Sequence, residues 1–288
     1  MSPRFIKFHG LGNDYIVIEA DQLAEIADLN KFARRICNRH YGAGADGIAV
    51  ISRLDENTAD FLVRIFNPDG SEAGLSGNGT RCAAAYLYYQ GLWSANELRL
   101  NTRSGVKRYT LLEQEAAGKY LFDSELGQPK FDSGSIPLLT EPSLERVINY
   151  PLHVDNESVS ITALQMGNPN CCIFVDDFEK LDWRRLGAAI ENHKDFPDRT
   201  NVVFVRVLDQ GTIELRIWER GVGETTASGT CSCAGAVAAM INEKSERKLK
   251  VLMPGGQVSI QWRADGEVVL RASAEVIYGG DWLAPANA

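Results

Sequence analysis

The strongest constraint on the fold is a stretch that the chain contains twice. The first copy reads Arg64-Ile-Phe-Asn67, Pro-Asp-Gly-Ser71, Glu72-Ala-Gly-Leu-Ser76-Gly77. The second reads Arg216-Ile-Trp-Glu219, Arg-Gly-Val-Gly223, Glu224-Thr-Thr-Ala-Ser228-Gly229. Matched positions (64 and 216, 72 and 224, 76 and 228) all stand 152 residues apart. Each copy runs into a small apolar segment, Cys82-Ala-Ala-Ala-Tyr-Leu87 or Ala234-Gly-Ala-Val-Ala-Ala-Met-Ile241. Each therefore predicts a strand, a glycine-rich loop and a buried helix. Further signals repeat outside the copies. Gly12-Asn13 answers to Gly167-Asn168, His40 to His193, and Gly105 to Gly256, in the same order in both halves. Two pseudo-symmetric lobes are expected, with equivalent loops facing each other across a cleft.

The 288 residues suit two lobes better than one core, since single cores stop growing at roughly this size. The lobes are expected at 1–118, with 275–288 returning to that part, and at 119–274. The formal net charge of −8 argues against nucleic acid or an anionic membrane as partner. No apolar run approaches the ~20 residues that a membrane-spanning helix needs, and none of signal-peptide length opens the chain. A cytosolic protein is expected. The six cysteines form no C-x-x-C pair and have no histidine cluster beside them, so no metal site is expected. In a reducing compartment they are expected to be buried, inert thiols.

Local patterns place the elements. Strands are expected at Phe5–Phe8 and Tyr15–Ile18 around a turn in which Gly12 and Asn13 take positive φ. A helix is expected over 23–38, with Leu29, Phe32, Ala33 and Ile36 on one face. Buried helices are expected over about 80–90 and 230–242, and another over 183–193. Ser104-Gly105 reads as a hairpin turn, Glu115–Gly118 as a lobe boundary, and 119–157 as strands and crossing loops.

The two buried helices start directly at Ser76-Gly77 and Ser228-Gly229. A helix N-terminus offers unpaired N–H donors and the positive end of the dipole. Two converging on one cleft suit a carboxylate or phosphate. Ser76 and Ser228 then stand on opposite sides of the ligand, or both serve only as helix caps. Around them lie Asn13, Asn67, Asn168, Asn201, Glu219 and Arg220. Arg220 can grip a second carboxylate in bidentate fashion, and Glu219 can accept from an ammonium. Glu72 and Glu224 are expected to tie the loops together.

His9-Gly-Leu-Gly-Asn-Asp-Tyr15, Arg64-Ile-Phe-Asn-Pro-Asp-Gly-Ser-Glu72, Gly77-Asn-Gly-Thr-Arg-Cys82, Met166-Gly-Asn-Pro169 and Glu219-Arg-Gly-Val-Gly-Glu-Thr225 together resemble the diaminopimelate epimerase family. The resemblance spans essentially the whole chain. It implies an α+β fold of two pseudo-symmetric lobes, each a mostly antiparallel sheet or barrel wrapped around a central helix. It also implies an isomerase of lysine and peptidoglycan precursor synthesis that interconverts LL- and meso-diaminopimelate. The family needs no pyridoxal cofactor, and none is expected here. One base takes the α-proton while a second, on the opposite face, returns one. The base positions fall on Ser76 and Ser228. Substrate binding falls on Asn13, Asn67, Gly77, Asn78, Asn168, Asn201, Glu219, Arg220, Gly229 and Thr230. A homodimer is expected.

The chain departs from the family where the chemistry happens. The family has cysteine at both positions that are Ser76 and Ser228 here. It usually has histidine where this chain has Asn170, and often glutamine where it has Gly47. Cys82 and Cys233 match family cysteines that are not catalytic, and Cys231 is an extra thiol. Three readings follow: an epimerase with Ser at both base positions, a binding protein that keeps the carboxylate cradle, or a different reaction on the same scaffold. Within the first lies a natural or engineered loss of the two thiols.

Overall fold

The computed structural model describes residues 2–54, 58–74, 76–155 and 157–283. The chain divides into two compact units. One runs to Ser124 and takes back the chain from Arg271; the other is Glu125–Leu270.

In the first unit, β1 (Arg4–Gly10) and β2 (Asn13–Glu19) pair antiparallel with Gly10 opposite Asn13. That register leaves a two-residue loop, and Leu11 and Gly12 take φ of 58° and 80°, the geometry that matches strand twist. Asn13 was expected in the left-handed region; the register puts it in the strand, and Leu11 takes that place. The expected helix over 23–38 is shorter. A 3-10 turn covers Ala20–Leu23, and α1 is Leu29–Ile36. Asp28 starts α1 by accepting from the Lys31 N–H at 3.0 Å, the preferred role of Asp at that position.

β3 (Gly47–Arg53), β4 (Phe61–Phe66), the short β5 (Glu72–Ala73), α2 (Gly77–Tyr89), β6 (Glu97–Thr102), β7 (Gly105–Glu115) and β8 (Lys119–Glu125) follow. Gly118 closes the β7–β8 hairpin with φ 83°, so the stretch expected to be a lobe boundary is a turn within this unit. The last strand, Val268–Asp281, pairs with β1 and β8. An eight-stranded barrel closes through β1, β2, β3, β4, β6, β7, β8 and this last strand. Every residue of α2 from Asn78 to Tyr88 is buried. Cys82, Ala83, Ala84, Ala85 and Leu87 pack against Phe8, Val17, Val63, Leu100 and Phe122. Small side chains on all sides let strands approach from all sides, as expected of a helix without a polar face.

The second unit repeats the order: β9 (Val147–Val154), β10 (Glu157–Gln165), β11 (Pro169–Phe174), α3 (Trp183–Glu191), β12 (Asn201–Asp209), β13 (Thr212–Glu219), β14 (Gly223–Thr225), α4 (Gly229–Ile241), β15 (Lys248–Met253) and β16 (Gly256–Trp262). Most pairings are antiparallel; β2–β3, β4–β6, β11–β12 and β13–β15 are parallel. The repeat holds to the residue. Phe66 pairs with Glu72 as Trp218 pairs with Glu224, and α2 and α4 have 13 residues each. Cys231 to Met240 of α4 are all buried. No helix among the described residues is long and apolar enough to cross a membrane.

Candidate active site

In the first unit, Ser76 has extended backbone and caps α2. Its Oγ accepts from the Gly79 N–H at 3.1 Å, and its carbonyl accepts from the Thr80 N–H at 2.9 Å. The N–H groups of Gly77 and Asn78 find no partner among the described residues, as in the open first turn of any helix. Tyr15 lies against this turn. A Cβ at Gly79 would come within 2.8 Å of the Tyr15 ring. Burial pushes the Tyr15 phenol up, opposed by the nearby Ser76 hydroxyl.

Asn13 and Asn78 meet. Asn78 Nδ2 donates to Asn13 Oδ1 at 3.0 Å, and Asn13 Nδ2 donates to Asp46 Oδ2 at 2.8 Å. Arg81, 1% exposed, donates to Asn78 Oδ1. Arg39 bridges Asp46 and Asp14, and Lys7 sits 2.7 Å from Asp14. Arg81, Asp46 and Tyr15 were not singled out from the sequence. Arg81 lies in the matched Gly77–Cys82 motif, and Asp46 lies in a glycine-rich loop, so both carried a signal. Asn67 stands apart on the β4–β5 turn, where its Nδ2 donates to Ser71 Oγ at 2.9 Å. Glu72 ties its loop to Arg64 by two bonds of 2.9 Å.

In the second unit, Ser228 holds the equivalent place before α4 but makes no side-chain cap bond. Its carbonyl accepts from the Ser232 N–H at 3.0 Å. Its hydroxyl lies beside Glu219 and favours the ionised form of that carboxyl. Glu219 Oε1 accepts from Thr225 Oγ1 at 2.8 Å. Burial pushes the Glu219 carboxyl above its ordinary value, opposed by the bond from Thr225 and by the nearby Ser228 hydroxyl. Gly229 and Thr230 open α4, half-buried. Glu224 pairs with Arg184 rather than with Arg216.

Asn168, Asn201 and Arg220 come together through Asn170. Asn170 Nδ2 donates to Asn168 O at 2.7 Å and to Asn168 Oδ1 at 3.0 Å. Asn201 Nδ2 donates to Asn170 Oδ1 at 3.2 Å, and Arg220 N–H donates to Asn201 Oδ1 at 2.9 Å. The Arg220 guanidinium donates to Asp198 O at 2.9 Å.

All six cysteines are unpaired and buried. Burial pushes Cys82 up to about 12 and Cys231 well above the ordinary thiol range. A thiol needs its anion to act as base, so Cys231 offers none. At Gly47 a Cβ would lie 2.6 Å from the Tyr15 ring and 2.8 Å from the Phe66 carbonyl. The absence of a side chain there is a packing requirement of this chain.

Two solved structures share the fold. A PhzF-family phenazine biosynthesis protein of Bacillus anthracis matches with a TM-score of 0.66 at 17% identity, over 99% of this chain and 100% of that one. A hydroxyproline epimerase of Agrobacterium vitis matches with a TM-score of 0.65 at 13% identity, over 98% and 92%. The family model for diaminopimelate epimerase matches residues 5–131 and 162–277. The diaminopimelate epimerase of Desulfitobacterium hafniense is 39% identical over 96% of both chains. That of Pelotomaculum thermopropionicum is 39% identical over 96% of this chain and 98% of its own. These relatives place the chain among the amino-acid racemases and epimerases, a class of isomerases. Within that class it belongs to the diaminopimelate epimerase family.

Proposed function

We propose that this chain binds diaminopimelate and that its two base positions are Ser76 and Ser228, one on each face of the α-carbon. The carrying observation is the matched pair of helix starts. Each follows the same strand, hairpin and Ser-Gly step, and in the second the serine lies beside the half-buried carboxylate of Glu219. In this reading the N–H groups of Gly77, Asn78, Gly229 and Thr230 hold the α-carboxylate. Helix N-termini favour an anion without needing a charged side chain. Glu219 receives the ammonium. Arg220 holds the distal carboxylate, with Asn67 and Asn201 nearby, and Asn13 and Asn168 orient the chain between. No cofactor and no metal enters the reading.

Family chemistry interconverts LL- and meso-diaminopimelate by taking the α-proton on one face and returning one on the other. Serine hydroxyls make that transfer slow. A cysteine reference pKa is about 8.5, whereas a hydroxyl lies near that of water, about 15.7. The gap of roughly seven units corresponds to about 10 kcal/mol at ~1.36 kcal/mol per unit. A helix N-terminus returns at most about 2 kcal/mol. We therefore assign tight binding with slow proton exchange.

The test is deuterium uptake at the α-carbon of LL-diaminopimelate in heavy water, beside calorimetry of binding. Binding with slow exchange supports the reading. Fast epimerisation overturns the slow-transfer part, and no binding overturns the substrate. A homodimer in the cytosol completes the proposal. Its support is the exposed face of the first unit carrying Tyr89, Ile277 and Tyr278. A monomer by light scattering at micromolar concentration sinks it.

A further inference from the structure

Asn170 has no solvent exposure, and Asn201, opposite it on the parallel neighbour strand, has 2%. Residues in register on parallel strands project to the same face, so the two amides meet. The hydrogen bonds running through them have a fixed sense. At one end is the backbone N–H of Arg220, which can only donate; at the other is the backbone carbonyl of Asn168, which can only accept. Between those ends each amide fits one way round. Asn201 accepts from Arg220 at 2.9 Å and donates to Asn170 at 3.2 Å. Asn170 accepts there and donates twice to Asn168, at 2.7 and 3.0 Å. Reversing either amide would set N–H against N–H in a buried site, which is strongly unfavourable.

The ends of this chain reach solvent although its middle does not. Asn168 and Arg220 are both half-buried. Because Asn168 Oδ1 accepts from Asn170, Asn168 presents its Nδ2 hydrogens, which suit an acceptor. Because Arg220 N–H is tied to Asn201, and its guanidinium to the Asp198 carbonyl, the cation is held at a set place. Both accessible ends therefore offer donors. A carboxylate satisfies them; a methylene leaves them unpaired.

We propose that Asn170 is a positioning residue that sets ligand selectivity. By orienting Asn168 and, through Asn201, Arg220, it makes the protein prefer an amino acid with a second carboxylate over one without. The inference rests on the proposal that Asn168, Asn201 and Arg220 hold diaminopimelate. A side chain at this position must accept from Asn201 and donate to Asn168. Aspartate lacks the donor, leucine lacks both, and neutral histidine has one of each.

The experiment is calorimetry at pH 8 with meso-diaminopimelate and with L-lysine, which has the same skeleton less one carboxylate. The unmodified protein should favour diaminopimelate by more than tenfold. Asn170→Asp and Asn170→Leu should each lower that ratio by tenfold or more, and Asn170→His should keep it. Asn201→Ala, which breaks the next link, should act like Asn170→Leu and serves if the leucine variant does not fold. A ratio unchanged in the aspartate and Asn201→Ala proteins, whether both affinities hold or fall together, overturns the inference while leaving the proposed substrate intact. Failure of the unmodified protein to bind diaminopimelate overturns the proposed substrate and this inference with it.

Discussion

Ser228 stands where a helix cap belongs, yet its hydroxyl lies beside Glu219 and makes no bond to the first turn of α4. Its counterpart Ser76 does cap its helix, through the Gly79 N–H. The two repeats thus use one residue type at one place in two ways. The preceding strands differ at the matched place as well: Glu219 accepts from Thr225 at 2.8 Å, whereas Asn67 turns to Ser71.

Restoring thiols should restore transfer. Ser76→Cys with Ser228→Cys is expected to raise α-deuterium exchange by at least a hundredfold, and each single change by less. Each hand of substrate needs its own base, and a few per cent of thiolate near pH 7 is enough to act. Mass spectrometry of recovered diaminopimelate reads the exchange. An unchanged rate in the double variant would remove the base role from both positions.

Glu219 makes binding and stability respond to pH in opposite senses. Its carboxyl is raised in the fold by burial. Between the ordinary value and the raised one the native state binds more protons than the unfolded state, so stability falls as pH rises through that window. The ammonium of the ligand needs the ionised form, so affinity falls as pH drops through the same window. Glu219→Gln should flatten both curves and weaken binding about tenfold at pH 8. Calorimetry and urea denaturation across pH 4–8 check it, and parallel curves for the two proteins would sink it.

Asp14 accepts from the Asp46 N–H at 2.9 Å, and Asp46 in turn accepts from Asn13. Burial alone would raise the Asp14 carboxyl, but hydrogen bonds from Arg39 and Lys7 prevail and hold it well below the usual carboxylate range. This contribution is present above the unfolded-state value and is lost as pH falls through the folded one. Asp14→Asn leaves Lys7, 7% exposed, without its ion pair. The expected loss is about 3 kcal/mol, the cost of breaking a buried pair from one side. Urea midpoints at pH 7 measure it, and a loss under about 1 kcal/mol would show that Lys7 re-pairs.

Gly47→Gln, the residue frequent in the family, should not improve function. Its Cβ meets the Tyr15 ring at 2.6 Å and a backbone carbonyl at 2.8 Å. Overpacking of this kind costs about 1–3 kcal/mol. Thermal denaturation should show a lower midpoint, and Tyr15→Ala in the same chain should recover part of it. A Gly47→Gln protein as stable as the original would mean that β3 yields freely.

What the sequence determined by itself is the repeat. Strand, hairpin and apolar helix recur at matched places because strand and helix periodicities, turn residues and caps are local properties. For the same reason Ser76, Ser228 and the asparagines beside glycines were legible as loop and helix-start residues. The start of α1 at Asp28 and the shift of positive φ to Leu11 were not. Both depend on which register and which cap win once strands pair. Nor were Asn170, Arg81 and Asp46 legible as orienting groups. In the sequence each is one polar residue among many. Only the tertiary structure brings Asn170 opposite Asn201, and Arg81 and Asp46 to the two ends of the Asn78–Asn13 pair. The direction of a hydrogen bond is a property of the pair, and the pair exists only after β11 lies along β12 and α2 is seated in its barrel.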